Sequence, residues 1–254
     1  LLGYAIHSLP ILSSLYGQDS IMMSRVQQGA GVLSNFLYIL NYLRSYYVLV
    51  FVVHCFSIVF SFLGFMKAVP KIIVVITGWM MYYGCIPAYN GSYLLMMSFS
   101  FFMLFVNPSS RKQRSIQMSN LAYLACVLQV FLVYSVAGGY KLTGTSWLSG
   151  DAVSRVLYLN AFVSDWKREV LLTVPLLLKA FTFVSLAYQV AFPFLIWFKK
   201  LKPFVLAIGI AFHLGLAMVM NLWDFGLAMI FSYALFVSRP IDRIKSLLKL
   251  KKAL

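Results

Sequence analysis

The run LAYLACVLQVFLVYSVAGGYKLTGTSWLSG, residues 121–150, opens with seventeen residues that carry no charge, Leu121 to Ala137. It then passes through Gly138 and Gly139 and sets a single charge, Lys141, at the end of the apolar stretch. A turn is expected at Thr143, Gly144, Thr145 and Ser146, with Trp147 and Gly150 closing it. An uncharged apolar run of this length is a candidate membrane helix. Lys141 then has two readings. An ammonium against an apolar wall is poorly solvated, burial favours the neutral amine, and a neutral amine is a base or a nucleophile. Alternatively the side chain snorkels to the bilayer surface, with Trp147 as an interfacial anchor.

Composition extends the membrane reading to the whole chain. Of 254 residues, 62% are hydrophobic and 11% charged, whereas a soluble domain carries roughly 25% charged residues. The expectation is one membrane-embedded, all-α domain over residues 1–254, a polytopic helical bundle with about eight transmembrane helices and some interfacial ones. The chain opens apolar at Leu1 without an initiator Met, so part of the N-terminus is expected to be missing and no cleavable signal peptide is expected. A net charge of +15 would suggest nucleic acid in a soluble protein. Here the basic residues lie between hydrophobic runs, which points to membrane lipids instead and to no nucleic acid. Cys55, Cys85 and Cys126 lie in apolar segments with no pair spacing, and no metal is expected.

In order, the spans are expected at residues 1–16 (a partial first helix), 45–66, 69–86, 92–106, 118–137, 170–198, 203–220 and 225–237. Residues 17–44 form a mixed linker, with an interfacial helix at 33–43. Residues 138–169 are the longest polar connection, with a surface helix at 152–162. Residues 239–254 interleave six basic side chains with Ile241, Ile244, Leu247, Leu248 and Leu250, which predicts a basic amphipathic tail on the inner leaflet.

Alternate loops then separate by charge. One side holds Lys67, Lys71, Arg111, Lys112, Arg114, Lys199, Lys200, Lys202 and the basic tail, against Asp242 alone. The other mixes Asp19, Asp151, Asp165, Glu169 and Asp224 with Arg25, Arg44, Lys141, Arg155, Lys167 and Arg168. Because Lys and Arg stay cytoplasmic, both termini are expected to face the cytoplasm, with Asn90, Lys141, Trp147 and Asp224 on the outer face.

Polar residues inside apolar spans are candidates for function. His213, in AFHLGLAM, is read as a proton relay or hydrogen-bond donor to a ligand, or as a satisfied interhelical contact. His54 has the same two readings. Gln189 and Pro193 put an amide and a freed carbonyl one turn apart, which is a site if it lines a cavity and a packing device otherwise. Lys179 is expected to snorkel outward. No Ser-His-Asp order and no His-Glu metal spacing is present, so hydrolase and zinc-enzyme chemistry has no support.

Three short motifs then occur in one order: Asn90-Gly91-Ser92-Tyr93-Leu94; Gly139-Tyr140-Lys141-Leu142 with Trp147 and Gly150; and Phe212-His213 with Met220, Phe225-Gly226, Met229 and Phe231-Ser232-Tyr233, ending at Ser238-Arg239-Pro240. Together, from about Gly78 to Pro240, this set resembles the vitamin K-dependent gamma-carboxylases and their bacterial relatives, the horizontally transferred transmembrane (HTTM) domain proteins. The resemblance implies Lys141 as the base that deprotonates a reduced quinone of the menaquinone or vitamin K type. It implies a pocket lined by Lys141, Asn90, His213 and Gln189, with Trp147 and Tyr93 as further cofactor contacts. It also implies a bacterial inner (plasma) membrane protein, with a membrane complex or a redox protein as partner. Carboxylases carry a histidine after the asparagine that matches Asn90, and here that residue is Gly91. The turn from Leu142 to Trp147 is one residue longer, and the lumenal domain that grips glutamate-rich substrates is not expected in these residues. The alternative is a non-catalytic helical subunit or docking platform of a membrane assembly.

Overall fold

The computed structural model describes residues 46–65, 68–84, 90–107, 110–160 and 162–237. The partial first span, the linker with its interfacial helix and the basic tail lie outside these residues. Every regular element among the described residues is a helix: α1 (Tyr47–Phe62), α2 (Val69–Gly84), α3 (Gly91–Met103), α4 (Gln113–Thr143), α5 (Thr145–Ser149), α6 (Ala152–Val156), α7 (Asp165–Leu172), α8 (Pro175–Leu195), α9 (Lys202–Met220), α10 (Trp223–Ser232) and α11 (Ala234–Val237). Three of them, α4, α8 and α9, are long and apolar enough to cross a membrane. Buried positions make up only 33%, 33% and 22% of their most apolar windows, so most of each apolar surface is left for lipid or another chain to cover. The helices α1, α2, α3 and the α10–α11 pair are apolar but shorter.

The chain divides into two compact units, residues 1–122 and 123–254, the boundary falling within α4. In the first unit α1 packs on α2, and α2 on α3. Helix α1 ends because Gly64 takes φ +70°, a conformation that costs glycine no steric strain. The Phe65 N–H then bonds the Phe60 carbonyl at 2.9 Å and the Gly64 N–H the Ser61 carbonyl at 3.3 Å, while the rings of Phe60 and Phe65 meet at 5.4 Å. This is a Schellman ending with its apolar clasp. Helix α3 starts at Asn90, whose side chain accepts from the Ser92 N–H at 3.0 Å and from the Ser92 hydroxyl. At the other end Lys71 reaches the Met103 and Val106 carbonyls at 3.3 and 3.4 Å, a cation on a helix C-terminus.

In the second unit α8 packs against α5, α6, α7 and α9, and α9 against α10. Several boundaries differ from expectation. The fifth span does not stop at Gly138-Gly139: α4 runs through both to Thr143 and breaks only at extended Gly144. Gly138 serves packing and not a helix end: its bare face lies against the α8 backbone at Gln189. The expected span at 170–198 is two helices. The stretch from Asp165 forms the separate α7, which ends at Leu172, and Pro175 restarts the chain as the first residue of α8. Proline favours that position because the missing N–H has no helical partner there. The surface helix at 152–162 shrinks to α6. Helix α9 closes on Asn221 in the left-handed region (φ 52°), and Lys167 bonds both the Met218 carbonyl at 2.7 Å and the Asn221 side chain at 2.9 Å. Lys202 does the same for α11 through the Phe236 carbonyl at 3.2 Å. Lys179 lays its stem over Gly150, where a Cβ would stand 2.6 Å from Lys179 Cγ, and Gly150 also needs its φ of +87° to end α5.

Candidate functional site

Tyr134, Gly138 and Lys141 stand at positions i, i+4 and i+7 of α4, so they share one face two turns long. That face meets α8. Pro193 lies inside α8 and has no N–H to give the Gln189 carbonyl four residues back. Gly138 sits at this freed carbonyl: a Cβ there would lie 3.3 Å from Gln189 O and 3.2 Å from Val190 Cγ2. The close approach lets two consecutive α8 side chains reach α4 in different directions.

Gln189 reaches Lys141. The amine donates to Gln189 Oε1 at 2.7 Å and lies over the Trp147 ring at 4.1 Å from its centroid. Lys141 therefore does not extend free into the headgroups; it is half-buried, and held by an amide oxygen and an indole face. Both contacts suit an ammonium.

Tyr188, the other residue, leads into a buried cluster of rings. Its hydroxyl lies 3.0 Å from that of Tyr233, which lies 2.5 Å from that of Tyr134, which lies 2.7 Å from His213 Nε2. The Tyr188 hydroxyl also donates to the Val205 carbonyl at 3.3 Å. Phe192 stacks on Tyr134 at 3.9 Å, and Phe212 and Phe225 meet the His213 ring at 5.0 and 5.6 Å. His213 is 1% exposed, and its Nδ1 has no partner among the described residues. Two glycines make room. A Cβ at Gly209 would overlap the Tyr188 and Tyr233 hydroxyls, and one at Gly226 would stand 2.6 Å from the His213 carbonyl.

The second unit thus brings together four of the residues singled out in the sequence: Lys141, Gln189 and Trp147 at one end, and His213 seated on Tyr134, about 10 Å deeper along α4. Their hydrogen bonds run to different partners. Asn90 and Tyr93 belong to the first unit. Asn90 caps α3, and Tyr93 is buried, donates to the Gly78 carbonyl at 2.9 Å and stacks on Tyr82. His54 is in the same unit, with Nδ1 2.8 Å from Thr77 Oγ1. Thr77 spends its hydrogen on the Ile73 carbonyl, so His54 donates. It is a satisfied packing contact between α1 and α2.

Tyr134 and Tyr188 were not singled out from the sequence, and Tyr233 entered only as the end of the motif Phe231-Ser232-Tyr233. A tyrosine in an apolar span reads as an interfacial aromatic. The available signal was the i, i+4, i+7 alignment of Tyr134 with Gly138 and Lys141. Compared with protein-family models, with curated proteins and with solved structures, the chain matches none.

Proposed function

We propose that this chain is a multi-pass inner-membrane protein of the gamma-carboxylase/HTTM type, whose outer-face site works on a reduced quinone at Lys141. The finer topology is part of the same proposal: about eight spans, both termini cytoplasmic, with lipids and a redox or membrane-complex protein as partners. The observation that carries it is the Lys141–Gln189 bond. The bond fixes where the amine sits, and an amine that acts on a substrate needs such an orienting partner. The donor set fits a flat, oxygen-bearing ring: an amine with hydrogen-bonding capacity left over, beside an indole face.

A reduced quinone, when bound, supplies an acidic hydroxyl and reducing electrons. Lys141 would hold or release a proton at Nζ. Gln189 Oε1 fixes where that atom sits, and Trp147 flanks it.

One observation favours a second reading, a non-catalytic subunit or docking platform: most of the α4, α8 and α9 apolar surface is unburied. The experiment places the full chain in nanodiscs with a short-tailed menaquinol. Saturable tryptophan quenching, lost in Trp147→Phe, is expected. Lys141→Met should abolish quinol turnover while helix content stays unchanged, because it keeps the stem and removes the amine. No saturable quenching, together with a silent Lys141→Met, leaves the docking platform standing.

A further inference from the structure

We infer that His213, Tyr134, Tyr233 and Tyr188 form a directed proton wire, and that its two hydrogen-bond polarities are the states before and after one proton transfer. The inference uses no bond of Lys141 and does not depend on a quinone.

The argument is a count of hydrogens. A phenol has one hydrogen to donate, and a backbone carbonyl has none. Tyr188 donates its hydrogen to the Val205 carbonyl. The bond between Tyr188 and Tyr233 must then be donated by Tyr233. Tyr233 is now spent, so Tyr134 donates to Tyr233, and Tyr134 in turn can only accept from His213. The hydrogen on His213 therefore sits on Nε2, and Nδ1 is a bare lone pair inside the protein. That is the atom without a partner. All four hydrogens point one way, from Nε2 toward Val205.

The opposite polarity is also self-consistent. Tyr188 donates to Tyr233, Tyr233 to Tyr134 and Tyr134 to Nε2, with the histidine hydrogen on Nδ1. It makes one bond fewer, because Val205 loses its donor. One proton transfer separates the two. Nδ1 is buried, so a water must enter the cluster to deliver a proton there; the Nε2 hydrogen then passes to the Tyr134 oxygen. The Tyr134 hydrogen passes to Tyr233 and that of Tyr233 to Tyr188, whose own hydrogen leaves to water at that end. One proton enters, one leaves, every ring ends neutral, and nothing is oxidised or reduced. Between Val205 and His213 the wire covers about 12 Å along α9, under half of a hydrocarbon core roughly 30 Å thick. It is thus a relay between two depths, not a pore. The donor and acceptor atoms are already at hydrogen-bond distance, 2.5–3.0 Å apart, so the hops need no movement of helices, and rotation of the hydroxyl hydrogens resets the chain.

The test is solid-state NMR on the full chain in bilayers with ¹⁵N-labelled histidine. In the native chain His213 should carry its hydrogen on Nε2, by about fivefold over Nδ1, the bias one net hydrogen bond provides. Tyr188→Phe does not touch the imidazole hydrogen directly, since Tyr188 meets Tyr134 and Tyr233 but not His213. It removes both the Val205 donor and the exit, so the two tautomers should become about equally populated. Exchange of the Nε2 hydrogen with D₂O should also slow about fivefold in that variant, the same step of one ordinary hydrogen bond. Tyr134→Phe cuts the wire beside the imidazole and should slow exchange likewise. Tyr123→Phe removes a hydroxyl bonded to the Leu235 carbonyl, off the wire, and should leave both readouts unchanged. A native His213 protonated on Nδ1, or exchange indifferent to Tyr188→Phe and Tyr134→Phe in folded protein, overturns the inference.

Discussion

Adding one methyl group at Gly209 should test the packing of the buried ring cluster more sharply than deleting any of its members. The glycine faces the point where Tyr188 and Tyr233 meet, and an added Cβ would overlap both hydroxyls. Neither ring can withdraw cheaply. Tyr233 stacks with Phe192 at 5.8 Å, and Tyr188 is edged by Tyr134 at 5.8 Å and tilted on Phe212 at 5.5 Å. Overpacking a tight core costs about 1–3 kcal/mol. Forcing the two hydroxyls apart strands a buried polar group, which costs about 1–3 kcal/mol more. Alanine returns about 1 kcal/mol of helix propensity. Gly209→Ala should therefore lower stability by about 3 kcal/mol. Gly215 lies six residues further along α9, and a Cβ there would meet nothing within 4 Å. Gly215→Ala should be neutral or raise stability by up to about 1 kcal/mol. The assay is unfolding of detergent-solubilised protein on titration with SDS, followed by circular dichroism, with the two variants side by side. Equal stability of the two would refute the close approach of α9 to the tyrosines.

In the first unit, the His54–Thr77 bond should appear as a coupling of about 1 kcal/mol in a cycle of His54→Leu and Thr77→Val, read by the same titration; additive effects would mean that the bond is not made. For orientation, Ser110→Cys and Ser149→Cys, each in a background lacking the three native cysteines, should react with an impermeant maleimide from opposite sides of the membrane. Reaction of both from one side would sink the charge-derived topology.

Much of the helical layout was legible because uncharged runs and their Pro, Gly and Lys borders are local signals. Helix α9 was expected from Pro203 to Met220 and begins one residue earlier. What the sequence hid were events decided by a neighbour. Gly138 and Gly139 look like an ending, yet the helix runs through both, and the missing side chain at Gly138 is what lets α8 come close. Thr173-Val174 looks like the interior of a long span, and interrupts it because Pro175 starts a helix better than it continues one. At the candidate site Lys141 and Gln189 each stood out as polar residues in apolar surroundings, but 48 positions separate them, and nothing local joins an amine to an amide at that range. The tyrosines were hidden for a different reason. A phenol is at home both in a core and at an interface, so its presence in an apolar span marks neither.

The lysines at Lys71, Lys167 and Lys202 carry a consequence for how such a chain can be studied. Each donates to a carbonyl at the end of a helix other than its own. Charge reversal is the customary way to map how a membrane protein inserts. At these three positions it would place a carboxylate against carbonyl oxygens and unlatch one helix from another. A Lys71→Glu or Lys202→Glu chain that fails to reach the membrane correctly would thus report two failures as one. Arg111, Lys112 and Lys199, which have no such bond in their own chain among those described, are the positions at which insertion can be probed without disturbing the fold.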